Sequence, residues 1–320
     1  QFLWNNDELN LDIPNNNNGN RISSNGFSAN TGYTFQGWYD SDSQSRMYVN
    51  GNQEASTTAS GPIGDEPSKL RIGILRRGEP ITADTQIGRF FDGKIGSVIV
   101  YRTALNEAQR TIVNTYLADK YSLSTTGTEV ASYENNSFST DVAGIGRATA
   151  SEQHRFASSA VLGFGVGSGF GATAFASDDE YIFIGHDGKG TTAFVEPING
   201  LTADAKRLGR TWKTDFKGGV GQKSVTIEVE ANILPSPPDP SDDSYFVLVD
   251  GSSSGFDSGS LEAYEMTGSD TLSTTVELED GDFVTIGAGQ RTVNFTTTAG
   301  AAFEDASAPD ATVTAKLNLP

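Results

Sequence analysis

Apolar and polar residues alternate with a period of two along much of this chain, a pattern that predicts many short β-strands. The clearest turn follows Tyr48-Val49, where Asn50-Gly51 predicts a two-residue type I′ hairpin. Residues 70–75 place Leu70, Ile72 and Ile74 on one face of a further strand. The same pattern predicts strands at 225–229, 245–249 and 282–287. The chain is therefore expected to be all-β.

One helix is expected among these strands, directly after an apolar strand pattern at 90–101. Asn106 can cap the helix, and Gln109 can close a capping box three residues later. An apolar stripe follows at helical spacing, so we expect it to face the core; it consists of Ala108, Ile112, Val113, Tyr116 and Leu117. The pattern predicts a short helix over about 106–119.

The longest uncharged run, 156–177, is not a membrane helix by its pattern. Glycines occur at every second position from Gly163 to Gly171. Such a period predicts an extended strand with one bare face, and no membrane insertion is expected.

The composition narrows the classes of partner. A formal charge of −19 argues against nucleic acid or an anionic membrane surface as partner and suits a secreted protein. The 320 residues leave room for two domains, and 36 glycines are typical of a chain rich in strands and turns. The absence of cysteine excludes disulfides, zinc–thiolate sites and cysteine nucleophiles.

The strand-then-helix pattern of 90–121, together with the Tyr48-Val49-Asn50-Gly51 turn, resembles the end of a laminin-G-like (concanavalin A-like lectin) domain. The resemblance covers about 30–121 and implies a jelly-roll sandwich over 1–121 that ends in a short helix. Domains of this kind have more strands upstream. We therefore expect this first domain to be incomplete at its N-terminal side, or completed by another segment.

The second half resembles another domain. Residues 141–147 and 207–213 match two motifs of an uncharacterised β-sandwich that often follows laminin-G-like domains in large bacterial surface proteins. The expected organisation is a linker at 122–138, a second sandwich at 139–288, and strands or an extension at 289–320. Two tandem β-sandwiches result. Strand patterns at 291–297 and 311–317 could close the second sandwich, lead into a third domain, or complete a neighbouring subunit by edge addition.

Candidate catalytic groups are few. His154 and His186 are far apart in sequence, have no serine elbow beside them, and are expected to be partly exposed. The acidic pairs Glu228/Glu230 and Glu277/Glu279 flank residues that alternate inward, so we expect them to face solvent. An enzyme on polysaccharide that uses such a pair is the third hypothesis for the chain, after the two given below. Trp212 is interpreted as a packed core residue in preference to a sugar platform.

Calcium is the candidate metal, because oxygen-rich turns provide the ligands that it prefers. Asp250 and Asp257 flank a Gly/Ser loop that could turn carbonyl groups inward. In the first half the laminin-G resemblance implies a lectin-type sugar site, with aromatic stacking and calcium-bridged hydroxyls. Its residues would be Trp38 and Tyr39 for the ligand and Asp40 and Asp42 for the metal.

The sequence therefore predicts a non-enzymatic, extracellular or cell-surface bacterial module for adhesion or glycan binding, assisted by calcium if calcium binds. Its expected partner is a glycan or a surface protein. The alternative is a structural subunit of a surface filament or matrix that self-associates through strand edges.

Overall fold

The computed structural model describes residues 2–5, 8–12, 21–40, 44–58, 72, 74–76, 87–123, 133–167, 169, 172, 174–198, 205–241, 243–257 and 260–290. The chain divides into two compact units, Gln1–Ser132 and Tyr133–Pro320. The boundary falls within the predicted linker at 122–138. The predicted strands at 291–297 and 311–317 lie outside the described residues.

Within its described residues, the first unit contains three small antiparallel sheets. Their strands are β1 (Phe2–Asn5), β2 (Glu8–Asp12) and β3 (Arg21–Ser24); β4 (Phe35–Asp40), β5 (Gln44–Val49) and β6 (Asn52–Thr58); and β7 (Ile74–Arg76) and β8 (Ile87–Phe90). Leu9 and Leu11 of β2 pack against Met47 of β5, with Tyr39 and Ala55 at the margin of this core. The first two sheets thus share an apolar layer.

The predicted hairpin turn between β5 and β6 is confirmed. Asn50 and Gly51 have φ angles of 49° and 82°, the left-handed values that a type I′ turn requires at both positions. Asparagine and glycine adopt these angles at the lowest cost, so the turn is encoded locally.

The helix α1 (Glu107–Tyr121) begins where the sequence predicts. The Asn106 side chain accepts a hydrogen bond from the Gln109 N–H at 2.9 Å, and the Gln109 side chain accepts one from the Asn106 N–H at 3.0 Å. Among the described residues, no helix is both long enough and apolar enough to cross a membrane.

The predicted buried face of α1 is wrong except at Ala108. The residues that the structure buries are mostly small or polar: Ala108, Arg110, Thr111, Asn114, Thr115 and Ala118. The predicted members Ile112, Val113, Tyr116 and Leu117 are only half-buried. Arg110 explains part of the difference, because its guanidinium donates to the Leu105 carbonyl at 2.9 Å and lies 4.9 Å from the Tyr48 ring.

The predicted strand at 90–101 is also wrong beyond Phe90. Residues 91–101 are described, and none of them lies in a strand. Their large apolar side chains are exposed, from Ile95 to Val100, which is 74% exposed. Alternating apolar residues encode an extended backbone, whereas a strand also needs hydrogen-bonding partners from elsewhere.

The second unit is a β-sandwich of two antiparallel sheets. Its strands are β9 (Thr140–Thr149), β10 (Glu152–His154), β11 (Phe156–Ser159), β12 (Leu162–Gly165), β13 (Glu180–His186), β14 (Phe194–Pro197), β15 (Lys206–Leu208), β16 (Trp212–Lys217), β17 (Lys223–Glu230), β18 (Asp243–Asp250), β19 (Glu262–Glu265), β20 (Thr271–Leu278) and β21 (Phe283–Gln290). Two short 3₁₀ turns, Asn136–Phe138 and Ala231–Ile233, complete the described elements.

The larger sheet has nine strands in the order β10-β9-β13-β16-β21-β15-β14, with β18 on β21 and β19 on β18. The smaller sheet has the order β11-β12-β17-β20. Phe164 and Ile227 of the smaller sheet meet Ile182, Trp212 and Val284 of the larger one in a single core. The predicted strands at 225–229, 245–249 and 282–287 are confirmed as parts of β17, β18 and β21.

In the larger sheet, the chain is interrupted between β13 and β14 and, directly opposite, between β15 and β16. β13 pairs with β16 from Tyr181 opposite Lys217 to His186 opposite Trp212, and β14 pairs with β15 from Phe194 opposite Leu208 onward. β15 and β16 both pair with β21, so they are two parts of one broken strand. The break at 209–211 faces an excursion at 187–193.

The glycine-rich strand is shorter than predicted. β12 ends at Gly165. Gly167 and Gly169 then have φ angles of 85° and 100°, which extended strands do not use. Gly167 and Gly169 turn the chain, and at the described residues of 163–171 the predicted strand is wrong beyond Gly165.

Candidate functional site

A polar depression in the first unit is a concave site formed by described residues. We call it the turn pocket. It has a volume of about 210 Å³, and its polar lining comes from Ser24, Asn25, Asn50, Asn52 and Glu54. Gly26, Phe27, Tyr33 and Val49 complete the wall.

The hairpin turn between β5 and β6 positions one side of the turn pocket. The Asn50 side chain accepts a hydrogen bond from the Thr34 N–H at 2.9 Å, and the Asn50 N–H donates to the Thr34 carbonyl at 3.0 Å. These two bonds fix the turn against the segment that carries Tyr33. Asn52 and Glu54 follow on β6, and both line the turn pocket. Glu54 is the extra residue of a β-bulge, since the register with β5 passes from Gln53 to Ala55.

The aromatic side of the turn pocket is held by ring packing. Phe27 meets Tyr33 edge-on at 5.1 Å between centroids and Phe35 at 5.4 Å. The Tyr33 hydroxyl accepts a hydrogen bond from the Ser28 N–H at 2.8 Å. Phe27 also packs against the core cluster of Leu9, Leu11 and Met47, so the wall is continuous with the core.

Trp38 and Tyr39, the residues predicted to bind a ligand, lie on opposite faces of β4, as neighbours on a strand must. The Trp38 indole N–H donates to the Leu105 carbonyl at 2.8 Å, and the Arg46 guanidinium lies 4.8 Å from the Trp38 ring. Tyr39 faces the apolar layer that contains Met47. The structure therefore does not bring the two rings together.

Of the acidic residues predicted beside these rings, Asp40 is half-buried at the end of β4. Asp42 lies outside the described residues. The geometry of this predicted metal pair is accordingly not described.

Asp250 and Asp257 do lie in one loop, as predicted. Asp250 is fully buried at the end of β18, and its Oδ1 accepts hydrogen bonds from the N–H and hydroxyl of Ser252, the N–H of Ser253 and the hydroxyl of Ser260, all at 2.9–3.2 Å. Asp257 accepts from the Ser253 hydroxyl at 2.6 Å. The serines predicted to let carbonyls turn inward instead donate to the two carboxylates.

A third carboxyl, Asp282, lies near this loop and was not singled out from the sequence. Burial, with smaller contributions from the charges of Glu279, Glu262 and Asp250, raises the pKa of Asp282 to about 6. Its Oδ2 accepts a hydrogen bond from the Glu279 N–H at 2.6 Å. Across the described ranges, no group of three or more His, Asp or Glu side chains is arranged to hold a metal ion.

His186 is buried, so the prediction of two partly exposed histidines is wrong for this residue. Its Nδ1 accepts a hydrogen bond from the Gly188 N–H at 2.9 Å, which leaves Nε2 to donate to Asp141 at 3.2 Å. Burial is the main cause that lowers the pKa of His186. The imidazole is neutral at pH 7 and serves to join β9 to β13.

The other candidate residues have structural settings. Trp212 is fully buried, which confirms the prediction of a core tryptophan, and its indole N–H donates to the Ser159 carbonyl of the facing sheet at 3.1 Å. Glu230, Glu277 and Glu279 are exposed and Glu228 is half-buried. Register places Glu228 opposite Ser273 and Glu277 opposite Ser224, so the two acidic pairs lie far apart on the ladder.

Comparison with known proteins gives one finding. The model of a family described as a domain of unknown function (DUF8202) matches residues 109–282. The chain belongs to this family. The DUF8202 match runs from within α1 to Asp282 and includes most of the second sandwich. No curated protein matches the chain. No solved structure matches it either.

Proposed function

We propose that this DUF8202 protein is a non-enzymatic, extracellular module of the bacterial surface that serves adhesion or glycan binding. The turn pocket is the observation that carries the proposal. Five polar side chains that can exchange hydrogen bonds line it, with Phe27 and Tyr33 at its margin. Sites of this kind suit sugars, whose rings have apolar faces and hydroxyl edges. The resemblance to laminin-G-like lectin domains and the acidic composition support the same conclusion.

Binding to a glycan array, followed by titration of the hits, tests this proposal. Asn52→Ala removes one amide from the turn pocket, and Tyr33→Ala removes part of its aromatic wall. We expect both variants to lose binding while the far-UV circular dichroism spectrum stays unchanged. Binding that persists in both variants would place the ligand elsewhere on the chain.

Calcium remains part of the proposal as an assisting ion. Asp257 is exposed and adjoins the buried Asp250, and Asp40 lies at the end of β4. Extracellular calcium sites typically bind with dissociation constants of roughly 0.1–1 mM. Addition of calcium should raise the melting temperature, and Asp257→Asn or Asp40→Asn should show which carboxylate is responsible. A melting temperature indifferent to calcium and to chelator would remove the ion from the proposal.

A structural role is the second candidate, because residues 95–101 expose an extended apolar run. Exposed runs of this kind mark interaction surfaces or aggregation sites. A filament or matrix subunit that assembles through strand edges would cover them.

Electron microscopy over a range of protein concentrations tests the structural role. Polymers that disappear with Val100→Asp, and persist with Val195→Asp at another exposed valine, would favour it. Deletion of 291–320, which leaves β21 intact, examines the predicted strand donation by the tail. Monodisperse particles at all concentrations would count against assembly.

A further inference from the structure

We infer that the turn pocket selects an uncharged or amino sugar ring and rejects acidic sugars. This inference rests on the proposed glycan-binding function and concerns the same pocket. It follows from the charge, the hydrogen-bonding groups and the size of the site, each of which the described residues define.

The charge of the turn pocket is entirely negative. Among the nine described residues that line it, Glu54 is the single charged side chain, and none of these nine is a lysine, arginine or histidine. An acidic sugar is normally held by a cationic side chain, above all by the paired donors of arginine. The lining therefore provides no counter-charge for a uronic or sialic acid.

Glu54 is held in place at the rim. The Ser24 hydroxyl donates to its Oε2 at 3.3 Å across the gap between β3 and β6. An ionised carboxylate only accepts hydrogen bonds, so it favours ligands that present hydroxyl or ammonium groups. A ligand carboxylate at roughly 5 Å from the Glu54 carboxylate is repelled by it. In a partly hydrated site this repulsion lowers the affinity of the ligand by about tenfold.

The uncharged lining matches a polyol. Ser24, Asn25, Asn50 and Asn52 provide hydroxyl and amide groups, and amides both donate and accept. Tyr33 and Phe27 add a small apolar margin to this polar lining, which an edge of a sugar ring can contact. The pocket volume of about 210 Å³ lies below the roughly 300–1,000 Å³ of pockets for drug-sized ligands, which suits a ligand part of about one ring.

Matched pairs of sugars test the inference. The probes are glucose, galactose and mannose, each titrated beside its own uronic acid, with glucosamine as a cationic probe. Nitrogen-15 NMR titration suits weak monosaccharide binding and maps the shifted amides onto the turn pocket. We expect at least one neutral sugar to bind about tenfold more tightly than its uronate, and glucosamine to bind at least as tightly as glucose.

The variant Glu54→Gln keeps the size of the side chain and removes its charge. It should reduce the preference for the neutral sugar to about twofold. Asp92→Asn is the matched control, because it removes the same charge from an exposed residue of the same unit outside the pocket. This control should leave the tenfold preference unchanged.

The outcomes separate the inference from the proposed function. A uronate that binds as tightly as its neutral partner, or a preference that Glu54→Gln does not change, overturns the selectivity while glycan binding at the turn pocket stands. Sugar binding that does not shift the amides of 24–27 and 50–54 overturns both. The inference and the proposed function are both supported if the neutral sugar binds and its preference is lost in Glu54→Gln but kept in Asp92→Asn.

Discussion

Asp282 is a carboxyl whose ionisation the fold opposes, and its replacement by asparagine should stabilise the second unit in a pH-dependent way. The residue precedes β21, is only 7% exposed, and accepts a hydrogen bond from the Glu279 N–H. Burial and nearby acids raise its pKa from 3.8 to about 6. An asparagine side chain can keep the hydrogen bond and carries no charge.

The sign of the effect follows from proton linkage. Between pH 3.8 and about 6 the folded protein holds the Asp282 proton more tightly than the unfolded chain does, so the free energy of unfolding falls as pH rises. Well above about pH 6 the stabilisation that the bound proton of Asp282 contributes is fully lost. At about 1.4 kcal/mol per pH unit, the gap between 3.8 and about 6 corresponds to about 3 kcal/mol as an upper bound.

Solvent near the strand end screens the charge of Asp282, so the true loss of stability is below this upper bound. The gain expected from Asp282→Asn is smaller accordingly. We expect the free energy of unfolding to rise by about 1–2 kcal/mol at pH 8 and by less than about 0.5 kcal/mol at pH 4. Urea titration followed by the fluorescence of Trp212 measures it, in a background where Trp4 and Trp38 are phenylalanine. Trp212 then reports the second unit alone.

Asp280→Asn is the control for this prediction. It makes the same chemical change on the same turn at an exposed side chain, and the asparagine oxygen can still accept the hydrogen bond from the Phe216 N–H that Asp280 accepts at 2.9 Å. Its effect on unfolding should not grow between pH 4 and pH 8. A gain from Asp282→Asn that is equal at the two pH values, or a loss at pH 8, would refute the argument from burial.

Three further substitutions test the packing and the caps. Asn106→Ala removes the capping box, so it should lower the free energy of unfolding of the first unit by about 1 kcal/mol, measured by urea titration. No change would mean that α1 does not depend on its cap. Phe164→Ala in the second core should cost about 3–5 kcal/mol in the same assay, and a cost below about 1 kcal/mol would contradict the observed packing. Gly185→Ala should lower the melting temperature, because its new methyl group would meet the Phe138 carbonyl. Gly221→Ala places its methyl group in open space and should leave the melting temperature unchanged. Equal effects of the two substitutions would disprove the close approach at Gly185.

Local signals in the sequence were sufficient for the features that depend on neighbours in sequence. The Asn50-Gly51 turn and the Asn106 cap involve residues within three positions of each other, and the structure confirms both. The all-β class follows from alternation repeated along the chain, and the described strands confirm it.

Features that depend on distant partners could not be predicted in this way. Hydrophobicity alone placed Ile112 and Leu117 in the core, whereas Arg110 is buried because the Leu105 carbonyl and the Tyr48 ring lie ready to receive it. The alternation in 94–101 predicted a strand, but pairing requires a neighbour that the pattern cannot specify.

The candidate site was missed for the same reason. The turn pocket combines residues from 24–27, Tyr33 and 49–54, which only the fold brings together. The available signal was the polar pair Asn52 and Glu54 directly after a strong turn. The acidic residues that composition made prominent, such as Asp250, accept hydrogen bonds from the serines of their own loop.

The interruption shared by β13–β14 and β15–β16 has a practical consequence for protein engineering. The excursion at 187–193 leaves the middle of a large sheet after Asp187, whose N–H still donates to the Thr211 carbonyl, and a side chain added at Gly190 would meet no atom within 4 Å. Peptide tags or fluorophore attachment sequences tend to be tolerated at such exposed loops. An epitope inserted after Gly190 would therefore give a label at the centre of the sandwich surface, far from both chain ends in sequence.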